Sequence, residues 1–120
     1  MNASRPLADC RILVVEDEYV IAQQIVGSLM EAGVEVIGPV PTLERALHEI
    51  ESHAQLDAAV LDINLRGEMV FPAADVLAAR GVPFLFATGY DKAVIPERFA
   101  NVACCGKPPT LADLRGALKL

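Results

Sequence analysis

Short, continuous apolar runs alternate with amphipathic segments along this 120-residue chain, and this alternation limits the folds open to it. Runs such as Arg11–Val15 are typical of strands that are buried on both faces, as in parallel sheets. The predicted strands are 11–15, 34–37, 58–61, 82–87 and 102–105. The predicted helices are 18–32, one that follows Thr42, 72–80 and one from Thr110 onwards. The pattern predicts an α/β fold: a doubly wound, five-stranded parallel sheet with helices on both faces.

Local sequence signals support the starts of two predicted helices and argue against a regular fourth helix. Thr42 is a predicted N-cap, and Thr110 with Asp113 resembles a capping box in which aspartate replaces glutamate. Pro96 lies where a fourth helix would run between the last two strands. Because proline removes a backbone donor and clashes with the preceding turn, we predict that segment 91–100 is short, kinked or irregular.

Composition excludes several classes of function. Ten basic and sixteen acidic residues give a net charge of −6 and a pI near 4.8, which disfavours binding to nucleic acid. No apolar run approaches the roughly 18 residues that would cross a membrane, and residues 1–6 lack the apolar core of a signal peptide. Three cysteines, two of them adjacent, form no disulfide framework and fit a reduced cytoplasm. We expect a tail over 1–8 and a single domain over 9–120.

Polar residues follow the strands at one edge of the predicted sheet, the edge where ligands bind in doubly wound folds. Glu16 and Asp17 follow the first strand, Asp62 the third, Thr88 the fourth and Lys107 the fifth. Clustered carboxylates resist ionisation unless a positive charge joins them. A divalent cation such as Mg²⁺ and the ammonium group of Lys107 both meet this need.

Carboxylates, Mg²⁺ and a lysine together suit a transferring phosphoryl group, whose negative charge is spread over several oxygens. In this interpretation Asp62 is the nucleophile and forms an aspartyl phosphate. The hydroxyl of Thr88 is then placed to donate a hydrogen bond to a phosphoryl oxygen.

Four motifs, in order and at the expected spacing, resemble the receiver domain of two-component response regulators. They are Ile12 to Glu18, Val60 to Leu65, Ala87 to Gly89 and Gly106 to Pro108. The string from Pro83 to Asp91, which contains Phe-Ala-Thr-Gly-Tyr, resembles the signature of the FAT GUY subgroup of single-domain receivers. The resemblance covers residues 9 to 120 and implies the flavodoxin-like strand order 2-1-3-4-5, with no output domain.

The resemblance assigns a role to each polar residue. It implies that Asp62 accepts a phosphoryl group from a histidine kinase, that Thr88 is the switch hydroxyl and that Lys107 pairs with the phosphoryl group. It also implies an Mg²⁺ site formed by the carboxylates of Asp17 and Asp62 and the backbone carbonyl of Asn64, with Glu16 acting through water. The Lys107–Pro108 peptide bond is often cis in receivers. The implied partners are a bacterial sensor kinase of the HWE or HisKA2 type and a downstream protein or phosphotransfer partner.

Two positions depart from the receiver pattern. Cys104 stands three residues before Lys107, where most receivers have an aromatic switch residue, and is too small for that role. Tyr90, two residues after Thr88, is a candidate substitute. Leu65 to Glu68 replaces the Met-Pro pair that usually follows the acceptor loop.

The residues count against two other functions of this fold and leave one alternative. A Mg²⁺-dependent phosphatase that forms an aspartyl phosphate needs a second acid two residues after the nucleophile, where this chain has Asn64. A flavin-binding relative of the fold needs a Ser/Thr-rich loop after the first strand, where Glu16 and Asp17 would repel the phosphate. We therefore expect a phosphoacceptor domain rather than an enzyme. The alternative is a receiver-like module that binds proteins independently of phosphorylation.

Overall fold

The computed structural model describes residues 7–89 and 94–118 and confirms the predicted α/β fold. The strands of its parallel sheet are β1 Arg11–Val15, β2 Glu35–Val40, β3 Ala58–Leu61, β6 Phe84–Ala87 and β7 Cys104–Cys105. Strands β4 Asn64–Leu65 and β5 Glu68–Met69 form a separate short hairpin. The five-stranded sheet has the order β2-β1-β3-β6-β7, which is the flavodoxin-like order. The helices are α1 Tyr19–Glu31, α2 Leu43–Ser52, α3 Phe71–Ala79 and α4 Leu111–Leu118.

Helices cover both faces of the sheet because successive strand residues point to opposite sides. In β1, Leu13 and Val15 join one core with residues of α2 and α3, such as Ile50 and Leu77. Ile12 and Val14 join the other core with α1 and α4. Every residue of β3 and β6 is buried, as the continuous apolar runs predict. No helix in the described part of the chain is both long and apolar enough to span a membrane.

Both predicted caps are present. The Thr42 hydroxyl accepts a hydrogen bond from the Arg45 N–H at 3.2 Å. The Thr110 hydroxyl accepts from the Asp113 N–H at 3.0 Å, and the Asp113 carboxylate accepts from the Thr110 N–H at 2.9 Å. These reciprocal bonds satisfy donors that a helix start would otherwise leave unpaired.

Strand β2 runs three residues further than the predicted end at Ile37, through a β-bulge. Leu13 pairs with Ile37 and Val15 with Val40, so two residues of β2, Gly38 and Pro39, lie opposite one residue of β1. Gly38 has φ +98°, a conformation that glycine adopts without steric cost. Pro39 is tolerated because β2 is an edge strand and a bulge position needs no ladder donor.

The last two strands of the sheet are shorter than predicted. β6 begins at Phe84 rather than residue 82, since the Val82 N–H donates to the Leu77 carbonyl and Pro83 has no N–H. β7 contains only two residues, because the Val102 N–H donates back to the Phe99 carbonyl. α1 and α3 differ from their predicted ranges by one residue at each end, which is within the usual fraying of helix ends.

The predicted irregular segment before β7 is confirmed over its described part. Between residues 95 and 103 the only helical element described is a 3₁₀ turn, Glu97–Phe99. Aromatic contacts pack this turn against the sheet and α3: the Phe99 ring centroid lies 5.7 Å from that of Phe86 in β6 and 5.9 Å from that of Phe71 in α3. Residues 91–93 lie outside the described residues.

Candidate functional site

The sheet brings the predicted polar residues to its carboxyl edge through backbone hydrogen bonds that extend past the strands. The Asp62 N–H donates to the Val15 carbonyl at 2.9 Å, which places Asp62 beside the end of β1. The Glu16 N–H donates to the carbonyl of Val40 at 3.0 Å, just beyond the bulge of β2. Backbone hydrogen bonds therefore fix the start of each acidic segment, independently of side-chain contacts.

Lys107 lies between two buried carboxylates. Its Nζ is 3.0 Å from Oδ2 of Asp62 and 3.2 Å from Oε1 of Glu16. Only 1% of each carboxylate side chain and 14% of the lysine side chain is exposed. The Glu16 carboxylate also accepts a hydrogen bond from the Glu18 N–H at 3.0 Å. The lysine thus neutralises charge at two acids that solvent barely reaches.

Asp17 completes a candidate cation site. One carboxylate oxygen from each of Glu16, Asp17 and Asp62 lies within 4.8 Å of the others. Oδ1 of Asp62 is buried and accepts no hydrogen bond from the part of the chain that the structure describes. Buried polar atoms nearly always have a partner, and a carboxylate oxygen is a preferred ligand of hard divalent cations. The donor set therefore fits Mg²⁺.

Burial dominates the electrostatics of this cluster. It raises the pKa of the Glu16 carboxyl to about 7, although the hydrogen bond from Glu18 opposes the shift. Burial also raises the pKa of Asp62, against the opposing effect of Lys107. For Lys107, burial disfavours the charged form, but the hydrogen bond and charge of Asp62, together with Glu16, outweigh it and raise the pKa. Protonated lysine is therefore a stable member of the site.

The pKa of Glu16 predicts an unusual pH dependence for the metal-free protein. An unfolded Glu16 carboxyl ionises near 4.5, whereas the folded one keeps its proton to about 7. Between these values the folded state binds more protons, so this group's contribution to stability is lost as the pH rises. In excess chelator, the unfolding free energy of the wild type relative to Glu16→Gln should fall by on the order of 1 kcal/mol per pH unit over this range. Urea unfolding at several pH values measures it, and a constant difference would contradict the assignment.

Asn64 and Thr88 lie at the same edge but differ in their surroundings. Asn64 lines a cavity of 480 Å³ together with Asp17, Asp62 and Lys107. Its side-chain Oδ1 accepts a hydrogen bond from the Gly67 N–H at 2.6 Å. The metal-ligand role of its backbone carbonyl stays a prediction. Thr88 is 6% exposed, and its N–H donates to the Cys105 carbonyl at 3.0 Å. Its role as the switch hydroxyl stays a prediction.

Arg66 also belongs to this edge, although no role for it is predicted from the sequence. It lies between the short strands β4 Asn64–Leu65 and β5 Glu68–Met69, which form a hairpin. Its Nε is 3.7 Å from Oδ2 of Asp17. The one sequence signal was Gly67, since a two-residue hairpin turn favours glycine at its second position.

Two comparisons find nothing: no protein-family model and no curated protein matches this sequence. Solved structures do match. The solution structure of SdrG from Sphingomonas melonis is 40% identical with a TM-score of 0.81, over 93% of this chain and 95% of SdrG. The chain belongs to the receiver domains of two-component response regulators. The solution structure of BeF₃-activated SdrG from Pseudomonas melonis is 38% identical with a TM-score of 0.74, over 99% of this chain and 97% of that one.

A more distant match shares the fold of this receiver domain. The response regulator receiver domain of PhyR from Erythrobacter litoralis is 23% identical with a TM-score of 0.76, over 92% of this chain and 87% of that one. The match to SdrG is consistent with the FAT GUY subgroup that the string around Thr88 indicates.

Cys104, one departure from the receiver pattern, lies in the described part of the chain. Cys104 lies on edge strand β7, is half-buried and packs against the core that contains Phe86 and Phe99. It lines a cavity of 260 Å³ with Ile95, Phe99, Ala100 and Val102, so no bulky side chain from this position fills that space. Tyr90, the candidate substitute, lies outside the described residues. The Lys107–Pro108 peptide bond is cis, as the resemblance implied.

Proposed function

We propose that this receiver domain accepts a phosphoryl group from a histidine kinase on Asp62, in a reaction that requires Mg²⁺. The observation that carries the proposal is the contact between the buried Asp62 carboxylate and Lys107, 3.0 Å apart, at the mouth of an open acidic cavity. A carboxylate in this position is shielded from bulk water and paired with a cation. The same cation can contact the negatively charged phosphoryl group after the transfer.

In the proposed step, a carboxylate oxygen of Asp62 attacks phosphorus and forms a P–O bond. The P–N bond of a phosphohistidine donor breaks, and the leaving imidazole nitrogen keeps the electron pair. The Lys107 ammonium stays protonated and holds the carboxylate oxygen and then the phosphoryl oxygens by charge-assisted hydrogen bonds. Thr88, at the end of the neighbouring strand, donates its hydroxyl hydrogen bond to the phosphoryl group in the product.

The residues of the site have different roles in binding the metal ion. We assign Asp17, Asp62 and the backbone carbonyl of Asn64 as ligands, with Glu16 acting through water. The bound ion supplies the positive charge that offsets the charge of the carboxylates and of the transferring group. Glu16 suits an indirect role because both of its oxygens already face Lys107, at 3.2 and 3.3 Å.

The proposed role is that of a phosphoacceptor that signals by protein–protein interaction or phosphorelay, and not that of an enzyme with an external substrate. The proposed donor is an HWE or HisKA2 kinase, because the FAT GUY resemblance implies that class. A reduced bacterial cytoplasm is the proposed location, since three cysteines, two of them adjacent, do not match a disulfide framework. The relative SdrG has a BeF₃-activated form, which supports testing the same activation here.

The test is intact mass spectrometry after incubation with a small phosphodonor. The wild type should gain a single phosphate in Mg²⁺ and none in excess chelator, and Asp62→Asn should gain none in either condition. Asp75→Asn is the matched control, because Asp75 is an exposed acid of α3 that lies outside the site and pairs with Arg98. Uptake by Asp62→Asn would contradict the assignment. No uptake by the wild type in Mg²⁺ would favour the module that binds proteins independently of phosphorylation.

A further inference from the structure

The hairpin turn that carries Arg66 has a defined geometry. Arg66 has φ +55° and Gly67 has φ +94°, which are the values of a two-residue type I′ turn. The Asn64 side chain fixes the turn by accepting the Gly67 N–H at 2.6 Å. Most type I′ turns have asparagine, aspartate or glycine at the first central position, so a long cationic side chain there is unusual. The turn projects Arg66 over the acidic cavity that it lines.

Charge pairing at the site is divided between two cations. Lys107, whose side chain is 14% exposed, contacts both Asp62 and Glu16. Arg66 is the basic residue that contacts Asp17, at 3.7 Å, and its side chain is 78% exposed against 18% for Asp17. A long, exposed ion pair of this kind is weak and breaks easily. A cation that binds Asp17 more strongly can therefore displace Arg66 without disturbing the fold.

We propose that Arg66 is a positioning residue that competes with Mg²⁺ for the carboxylate of Asp17. In the metal-free domain the guanidinium offsets the charge of Asp17, and Mg²⁺ must displace it to bind. The inference rests on the proposed function, because it assumes that Asp17 is a ligand of Mg²⁺. Its consequence is that the hairpin sets the Mg²⁺ concentration at which the domain becomes competent to take up phosphate.

The experiment is a calorimetric titration of Mg²⁺ into the metal-free protein at low ionic strength, with no phosphodonor present. Arg66→Gln removes the charge but keeps a Cβ in the same left-handed conformation, so the cost of the turn is unchanged. It should bind Mg²⁺ about two- to fivefold more tightly than the wild type, the size expected for loss of an exposed ion pair. Arg66→Lys keeps the charge and should stay close to the wild type. The gain of Arg66→Gln should shrink at high salt, which screens exposed charges.

Arg115→Gln is the matched control, because it makes the same change in net charge at an exposed arginine of α4 outside the lining of the cavity. It should bind Mg²⁺ like the wild type. Equal affinities of Arg66→Gln and Arg115→Gln would overturn the inference about Arg66 while leaving the Mg²⁺ site intact. Absence of Mg²⁺ binding in the wild type and every variant would overturn both the inference and the metal site of the proposed function.

Discussion

Lys107→Met is expected to lower the unfolding free energy of the metal-free domain by about 3 kcal/mol at pH 8, because it leaves two buried carboxylates without their cation. Both carboxylate side chains, those of Glu16 and Asp62, are only 1% exposed, and Lys107 is the cation that contacts both. Methionine fills much of the same volume, so the loss reports charge rather than packing. Urea unfolding in excess chelator, followed by circular dichroism, measures the change.

A second substitution separates this explanation from general damage to the fold. Adding Asp62→Asn to Lys107→Met removes one of the two unpaired charges, so the double variant should recover most of the lost stability. Lowering the pH to 6 should also reduce the loss, since burial raises the pKa of Glu16 to about 7 and the carboxyl then carries a proton. A Lys107→Met protein as stable as the wild type at pH 8, or a double variant no better than the single one, would contradict the assigned pairing.

Gly38→Ala is expected to lower the unfolding free energy by about 3 kcal/mol or more, the largest effect of any glycine replacement in the described chain. Two costs combine at this bulge. The φ of +98° disfavours any residue with a Cβ, and the added Cβ would lie 2.8 Å from the Val14 carbonyl oxygen and 2.9 Å from the Val40 nitrogen. Both neighbours are backbone atoms of β1 and β2, so relief requires the strands to move.

Two other glycines serve as controls for these separate costs. Gly81 has φ +71° but open space around its Cβ position, so Gly81→Ala should cost about 1 kcal/mol from conformation alone. Gly116 lies in α4 with open space and no positive φ, so Gly116→Ala should stabilise the protein by roughly 0.5–1 kcal/mol. Equal losses for Gly38→Ala and Gly81→Ala in chemical denaturation would show that the strands accommodate the extra carbon.

The bulge in β2 also shows why the sequence pattern did not predict the full length of this strand. The apolar run that ends at Ile37 is a strong signal of a strand, but the Gly-Pro pair that follows it is typical of a turn. What lets the strand continue is its position at the edge of the sheet, where Pro39 needs no ladder donor. That position depends on the strand order, which a local pattern does not contain. The extension matters for the site, because the Val40 carbonyl at its end accepts the Glu16 N–H.

The candidate site was predictable in its membership but not in its pairing. Parallel strands all end at one edge, so the positions of Asp62 and Lys107 after their strands were enough to predict their approach. The close contact of Lys107 with a fully buried Glu16 was not, because strand ends place the cluster at one edge but do not show which carboxylates the ammonium contacts. Arg66 was missed for a related reason: its contact with Asp17 depends on a turn conformation that arginine rarely adopts.

Mapping the phosphoryl group tests the central claim most directly. The wild-type domain would be phosphorylated with a small donor in Mg²⁺, treated with borohydride and digested for peptide mass mapping. Hydride reduces an acyl phosphate to the alcohol, so an aspartyl phosphate becomes homoserine at the modified position and leaves other carboxylates unchanged. The account predicts homoserine at position 62 and nowhere else. Homoserine at position 17, or phosphate retained on a histidine or threonine, would contradict it.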